Sequence, residues 1–246
     1  MSWQKGGNVH SLHSDLYAQE SGYWWSAARR KLLLRLLKKM HPSGSNCRYA
    51  ELGCGGGEFL LLLERAGIKA FGLDRSYEAC SIAGSKGLCI VNADILRMPF
   101  RDKSFDRILA FDILEHLQDE KGGMDAISGV CGDGGIVFFT LPALNCLRTV
   151  RDKRLGHHRR YSRRSFERVL QEHKFKPVYS RYMFASLFLP LLFSRFIPSS
   201  SEHGEVWTAG GFVNRLFGVY FYLEGILTGL LPLPFGTSLV CIAQKC

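Results

Sequence analysis

The segment YAELGCGGGEF, Tyr49 to Phe59, sets four glycines among the five positions from Gly53 to Gly57, directly after a short apolar run and directly before a helical apolar pattern. Glycines at a strand-to-helix turn allow left-handed backbone and let a ligand come close where a Cβ would stand. The dinucleotide fingerprint started at Gly53 needs a glycine at position 58, where Glu58 stands, and no G-K-[ST] follows to make a P-loop. What remains is Glu51-x-Gly53-x-Gly55-x-Gly57, with Asp74 closing the next apolar run. An acid at the end of a second strand can accept both hydroxyls of a ribose, so the pattern describes a nucleoside site without a phosphate cradle.

Around this turn, apolar runs alternate with helical patterns. Strands are expected at 47–52, 70–73, 88–92, 105–111, 135–141, 177–183 and in the closing SLVCIAQK, with helices at 57–66, 77–84, 122–130 and from Ser162 to His173. Such alternation predicts an α/β fold, a Rossmann-like doubly wound sheet of seven strands. Upstream, GYWWSAARRKLLLRLLKKMHP places Trp25, Ala28, Leu32, Leu36 and Met40 on one helical stripe with Arg29, Arg35, Lys38 and Lys39 around it, and His41-Pro42 ends the helix. Three regions follow: an N-terminal helical lid over 1–45, a nucleoside-binding domain over 46–183 and 238–246, and a helical apolar insertion over 184–237 between the last two strands. The insertion holds FASLFLPLLFSRFIP and LFGVYFYLEGILTGLLPLPFG. The first is about 15 residues with Arg195 near its end and the second carries Glu224 with glycines and prolines, so a substrate cap or a monotopic membrane contact fits better than a span.

The formal charge of +10 and a pI near 9.3 favour anionic partners. Nine Lys or Arg fall between Arg148 and Arg168. The eight cysteines form no C-x-x-C pair, and the first eleven residues contain no apolar signal core, which together predict reduced thiols and a cytoplasmic chain, to which the apolar insertion adds a peripheral membrane contact.

From Tyr49 to Phe175 the order of motifs resembles the class I S-adenosylmethionine-dependent methyltransferases, in particular the small-molecule group called type 11. Glu51 with Gly53, Cys54, Gly55 and Gly57 matches the first motif of that family, and Asp74 with Arg75 in FGLDRS matches its ribose-binding acid. Asp94 in NADILRMPF matches the residue that reads the adenine amine, with Ile95 and Leu96 beside the ring, and Phe111 and Asp112 match positions flanking the methionine moiety. The resemblance implies S-adenosyl-L-methionine as cofactor and ligands seated at the carboxyl ends of the strands.

The cofactor brings its own leaving group, so the protein positions a nucleophile and excludes water, and needs a base only for a protonated acceptor. Candidates for that base are His116 after strand four and His157, His158 and Tyr161 after strand five. No metal is required. Asp112-x-x-Glu115-His116 nevertheless resembles the E-x-x-E-H element that holds a divalent ion in ubiquinone-pathway O-methyltransferases and small-RNA 2′-O-methyltransferases, which leaves a metal set Asp112, Glu115 and His116 as an alternative. The lid is expected to cover the cofactor with Tyr23, Trp24 or Trp25 and to bring Arg29 near its carboxylate. Phe184, Leu187, Phe188, Leu189, Leu191, Leu192, Phe193 and Phe196 would form an apolar wall beside a rim of Arg151, Lys153, Arg154, Arg159 and Arg160. The expected acceptor is accordingly small, amphipathic or lipid-like, and anionic, with the acceptor atom (O, N or C) left open. Two other functions remain at this point: an RNA or other nucleic-acid methyltransferase, and a catalytically silent cofactor-binding module.

Overall fold

The computed structural model describes residues 24–40, 46–194 and 211–246. Seven strands, β1 (Tyr49–Leu52), β2 (Ala70–Asp74), β3 (Ile90–Asn92), β4 (Phe105–Phe111), β5 (Cys131–Pro142), β6 (Phe175–Met183) and β7 (Ser238–Lys245), form one sheet in the order β3-β2-β1-β4-β5-β7-β6. β7 runs antiparallel between β5 and β6, and the pairs among β1 to β5 are parallel. Chain order reverses between β1 and β4, which opens the switch-point crevice at the carboxyl edge where α/β sheets bind ligands.

The helices are α1 (Trp24–Lys39), α2 (Glu58–Arg65), α3 (Tyr77–Ser85), α4 (Glu120–Val130), α5 (Val150–Arg154), α6 (Arg163–Glu172), α7 (Phe188–Ser194) and α8 (Gly211–Leu230). Side chains alternate across the strands as the pleat demands. Ile108, Ala110, Val137, Phe139 and Cys241 join Met124, Ile127, Phe166 and Leu170 of α4 and α6 on one face. Leu109, Phe138, Val240 and Ile242 join Phe59 and Leu63 of α2, Leu33 and Leu37 of α1 and Phe221 of α8 on the other.

Two expectations change here. The buried residues of α1 are Ser26, Ala28, Leu32, Leu33 and Leu37; of the expected stripe, Ala28 and Leu32 are buried, Leu36 and Met40 are partly buried against the core, and Trp25 is half-buried. A helix with five leucines in six positions offers more than one stripe, and α1 buries the arc that touches both the sheet and α8. Contact with α8 is close enough that a Cβ on Gly225 would lie 2.1 Å from Leu32 Cδ1. β5 begins at Cys131 instead of 135, because the glycines 132, 134 and 135 accommodate an irregular register against β4 between Phe105 and Arg107.

Met183, Ser238 and Pro142 are paired neighbours, so the insertion leaves β6 at the same edge as the chain leaves β4 and β5. Non-glycine residues with left-handed φ stand just past each of these strand ends: Asp112 (49°), Leu144 (57°) and Phe184 (58°). That conformation costs free energy for a side chain with a Cβ and clusters where an edge is shaped for a ligand. His41 and Pro42, Tyr23, Arg195 and Phe196 lie outside the described residues.

Candidate active site

β1 delivers Glu51 and then turns at Gly53, whose φ of 73° and N–H bond to the Leu73 carbonyl at 2.7 Å fold the loop over β2. A Cβ on Gly53 would stand 2.3 Å from Ile113 Cδ1, and one on Gly57 (φ 79°) 2.5 Å from Leu88 Cδ1. Gly55 N–H donates to Asp74 Oδ2 at 2.8 Å and Ser76 N–H to Oδ1 at 2.8 Å, which fixes the carboxylate beneath the loop. An ionised carboxylate has about four lone-pair sites, so each oxygen keeps capacity for a ligand hydroxyl. Cys54 is buried, its thiol donating to the Gly55 carbonyl at 3.7 Å.

Glu51 is buried with Oε2 lacking a partner. Burial and the neighbouring Asp74 charge push its carboxyl up to about 8, against the opposing pull of Arg30 and the Leu60 N–H. The unpartnered Oε2 at the start of the glycine turn is free to meet a ligand, and a positively charged one would favour the ionised form of Glu51. Arg75 is exposed one residue past Asp74. Asp94, also exposed, caps the 3₁₀ turn Ile95–Arg97 by accepting from Leu96 N–H at 2.9 Å. Leu96 is exposed while Ile95 turns into the core.

At the end of β4, Phe111 packs edge-on against Phe59 at 5.0 Å. Asp112 accepts from Thr140 Oγ1 at 2.9 Å and pairs with Arg29 of α1. Arg29 lies over the Trp25 ring at 4.9 Å, so this part of α1 covers the carboxyl end of β4. Trp24 does something else: its backbone N–H donates to Asn214 Oδ1 and its ring stacks on Phe221 at 4.4 Å, so it fastens α1 to α8.

Glu115 sits in the 3₁₀ turn Leu114–His116 with no exposed surface, and neither carboxylate oxygen has a partner. Burial, then the Asp112 charge, raise its carboxyl well above the usual range. His116 and His157 meet edge to face at 4.7 Å, and the ligand atoms of Glu115, His116 and His157 lie within 4.8 Å of one another. This differs from the metal set expected from the sequence. Asp112 is occupied by Thr140 and Arg29, and the third member is His157, which arrives from the far side of α5.

A buried carboxylate holds that histidine. Asp152 is 2% exposed and accepts from Thr149 N at 2.8 Å, Arg160 Nε at 2.8 Å and Arg160 Nη2 at 3.1 Å, with His157 Nδ1 at 3.1 Å. Burial alone would raise its carboxyl; the donors from His157, Arg160 and Thr149 overcome that and hold it below the ordinary carboxylate range. Sequence position alone does not single out Asp152, although T-V-R-D is readable as a capping box.

The other base candidates are placed differently. His158 is exposed and its backbone N–H donates to the Glu115 carbonyl at 2.8 Å. Tyr161 is buried, donates to Glu120 and packs against Phe166, and burial followed by Glu120 drives its phenol upward, so it wedges the loop against α4. Of the expected cationic rim, Arg151, Lys153 and Arg154 are exposed on α5, whereas Arg159 turns to the Gln118 carbonyl and Glu120 and Arg160 to Asp152. Of the apolar wall, Phe184 is core and Leu189 and Phe193 are exposed on α7, which packs against the 3₁₀ turn Asn145–Leu147.

A family model of the methyltransferase domain matches residues 24–180. The chain is 25% identical over 147 residues to a ubiquinone biosynthesis O-methyltransferase of Methylococcus capsulatus, covering 54% of this chain and 62% of that one. It is 26% identical over 113 residues to the Bos taurus protein named Probable tRNA methyltransferase 9B, covering 46% of this chain and 24% of that one. The match therefore spans less than two thirds of these relatives' own length. Among solved structures, a SAM-dependent methyltransferase of Thermotoga maritima superposes with a TM-score of 0.62 at 16% identity, over 96% of this chain and 99% of that one, a likeness of fold.

Proposed function

The chain belongs to the class I S-adenosylmethionine-dependent methyltransferases, and on that premise we propose that it transfers a methyl group to a small amphipathic, anionic acceptor seated at the carboxyl edge of the sheet. S-Adenosylmethionine supplies an activated methyl with its own leaving group. Glu51, the turn from Gly53 to Gly57 and Asp74 would hold it, with Asp94 and Leu96 at the adenine end and Phe111, Asp112 and Arg29 at the amino-acid end. The fit rests on the spare lone pairs of Asp74 and the unpartnered Oε2 of buried Glu51.

His157 is the proposed proton acceptor. Asp152 engages its Nδ1, which assigns the proton there and leaves Nε2 as the basic nitrogen, the arrangement general-base histidines use. The observation that carries the acceptor class is that exposed Leu189 (56%) and Phe193 (60%) stand on α7, which packs on the turn Asn145–Leu147, and that this turn leads within three residues into α5 with its exposed cations. The same geometry weighs against RNA, because Tyr161 and Phe166, the aromatic residues of the 148–168 segment, are both buried and offer no base a stacking surface. The two named relatives point to different acceptors and do not decide between them. Incubating the chain and methyl-labelled cofactor with a lipid extract, a water-soluble extract and total RNA tests the reading. Label in the lipid fraction supports it, and label confined to RNA or to polar metabolites overturns the acceptor class.

A second reading adds a divalent cation to the same reaction, favoured by the two unpartnered oxygens of the fully buried Glu115 beside His116 and His157. Such an ion would be held by one carboxylate and two imidazoles and would lower the pKa of an acceptor hydroxyl. Manganese binding followed by electron paramagnetic resonance, lost in Glu115→Gln, is the expected result; an unchanged free-ion signal removes the cation.

A further inference from the structure

Helix α8 is amphipathic the wrong way round for a surface helix. Phe212, Leu216, Val219, Leu223, Leu227 and Leu230 are each between 51% and 81% exposed. At 100° per residue they fall within an arc of about 80°, and at 1.5 Å per residue they run about 27 Å along the axis. The opposite side, Gly218, Phe221, Gly225 and Thr228, packs inward, with the two glycines at the contact with Trp24 and Leu32 of α1. Two polar side chains of α8 are consumed by the protein: Asn214 accepts from the Trp24 backbone N–H, and Glu224 accepts from Ser186 N–H at 2.7 Å and Ser186 Oγ at 3.0 Å. A surface helix ordinarily buries its apolar stripe and shows its polar one, and a continuous exposed stripe of this size marks a contact surface.

Charge beside the stripe identifies what the surface meets. α1 carries six Lys or Arg and no acidic residue from Trp24 to Lys39. Lys31, Arg35 and Lys38, spaced to share one face, line a shallow depression with Leu34 and Tyr222 of α8. Tyr222 flanks the stripe, and exposed Arg215 falls on the same flank. An apolar ridge bordered by a row of cations matches the interface of a bilayer containing anionic lipid, with acyl chains receiving the leucines and phosphates or carboxylates receiving the cations. A second copy of the chain would bring the same cations and no acidic row to receive them. No helix among the described residues is long and apolar enough to cross a membrane.

We infer that α1 and α8 together form a docking platform by which the protein lies on an anionic membrane surface, α8 inserting its leucine stripe at the level of the headgroups. This goes beyond the methyl-transfer reading and does not depend on it.

Flotation of the full chain with vesicles of phosphatidylcholine, and of phosphatidylcholine mixed with phosphatidylserine, tests the inference. Expected is binding to the mixed vesicles that weakens with salt. Leu216→Glu/Leu223→Glu should abolish it. Lys31→Gln/Arg35→Gln/Lys38→Gln should lower affinity for the mixed vesicles on the order of 100-fold, at about fivefold per cation, with little change on neutral ones. S-Adenosylhomocysteine binding retained in these variants shows that they fold, and its absence from the unmodified chain would count against the methyl-transfer reading alone. A wild-type chain that floats with neither vesicle overturns the platform, whether the stripe then proves to be covered by a second copy, seen as a dimer dissociated by Leu223→Glu, or by residues 1–23, seen as binding only after their removal.

Discussion

Replacing Asp152 by asparagine keeps the volume of the side chain and removes its charge. In the native protein that carboxylate is 2% exposed and meets two guanidinium nitrogens of Arg160, the Thr149 N–H and the His157 ring. Arg160 is itself largely buried, so the variant strands a cation away from water. Removing one partner of a buried ion pair costs about 3–5 kcal/mol, against a total of about 5–15 kcal/mol for a domain. For a chain of this size each kcal/mol moves the midpoint by about 2–4 °C, so Asp152→Asn should melt about 6–20 °C lower at neutral pH. The pH dependence has a definite sign. The folded carboxyl lies below its unfolded value, so its contribution is full above an unfolded pKa of about 3.9 and is lost as pH falls through the folded one. The gap between wild type and variant should therefore hold from pH 7 to about pH 5 and close below that. Scanning calorimetry across this range measures it. A variant within about 2 °C of wild type at pH 7, or a gap that widens on acidification, would refute the assigned network.

Glu51 gives the opposite sign: its raised carboxyl keeps stability at low pH that is lost as pH rises from about 4.5 toward 8, at up to about 1.4 kcal/mol per pH unit. Glu51→Gln should remove that slope in urea titrations, and a slope equal to wild type would contradict the burial argument. Gly53→Ala places a Cβ 2.3 Å from Ile113 Cδ1 on backbone with φ 73°, which should cost about 1–3 kcal/mol and weaken cofactor binding; unaltered melting and affinity would contradict it. Gly225→Val should loosen α1 from α8 against Leu32 and lower the melting temperature, since the glycine allows that close approach.

Much of the fold was legible because it is written locally. The short apolar runs 105–111 and 238–245 and the capped helix after Ser162 appear in the structure within a residue or two of their expected ends. The glycine turn and Asp74 were legible as a pair for the same reason, being neighbours through β1 and β2. What could not be read depends on contacts distant in the chain. Which stripe of α1 is buried was decided by α8, nearly two hundred residues away in sequence. The fate of the arginines after β5 was decided by Asp152, which claims Arg160 and leaves only part of the basic run at the surface. The meeting of His157 with Glu115 and His116 needed the path of the chain through α5, and no spacing rule connects positions that far apart. Conversely, the apolar insertion read as a cap or a membrane contact from composition, but which residues face outward followed only from the packing of Gly218 and Gly225 on α1.

Calorimetric titration of S-adenosylhomocysteine into the full chain and into Asp74→Ala tests the central claim most directly. The account predicts a single site in the wild type. Loss of two charge-assisted hydrogen bonds to the ribose, each contributing about 1.5–3 kcal/mol, should weaken it by two orders of magnitude or more in the variant. No binding by the wild type, or equal affinity in Asp74→Ala, would contradict it.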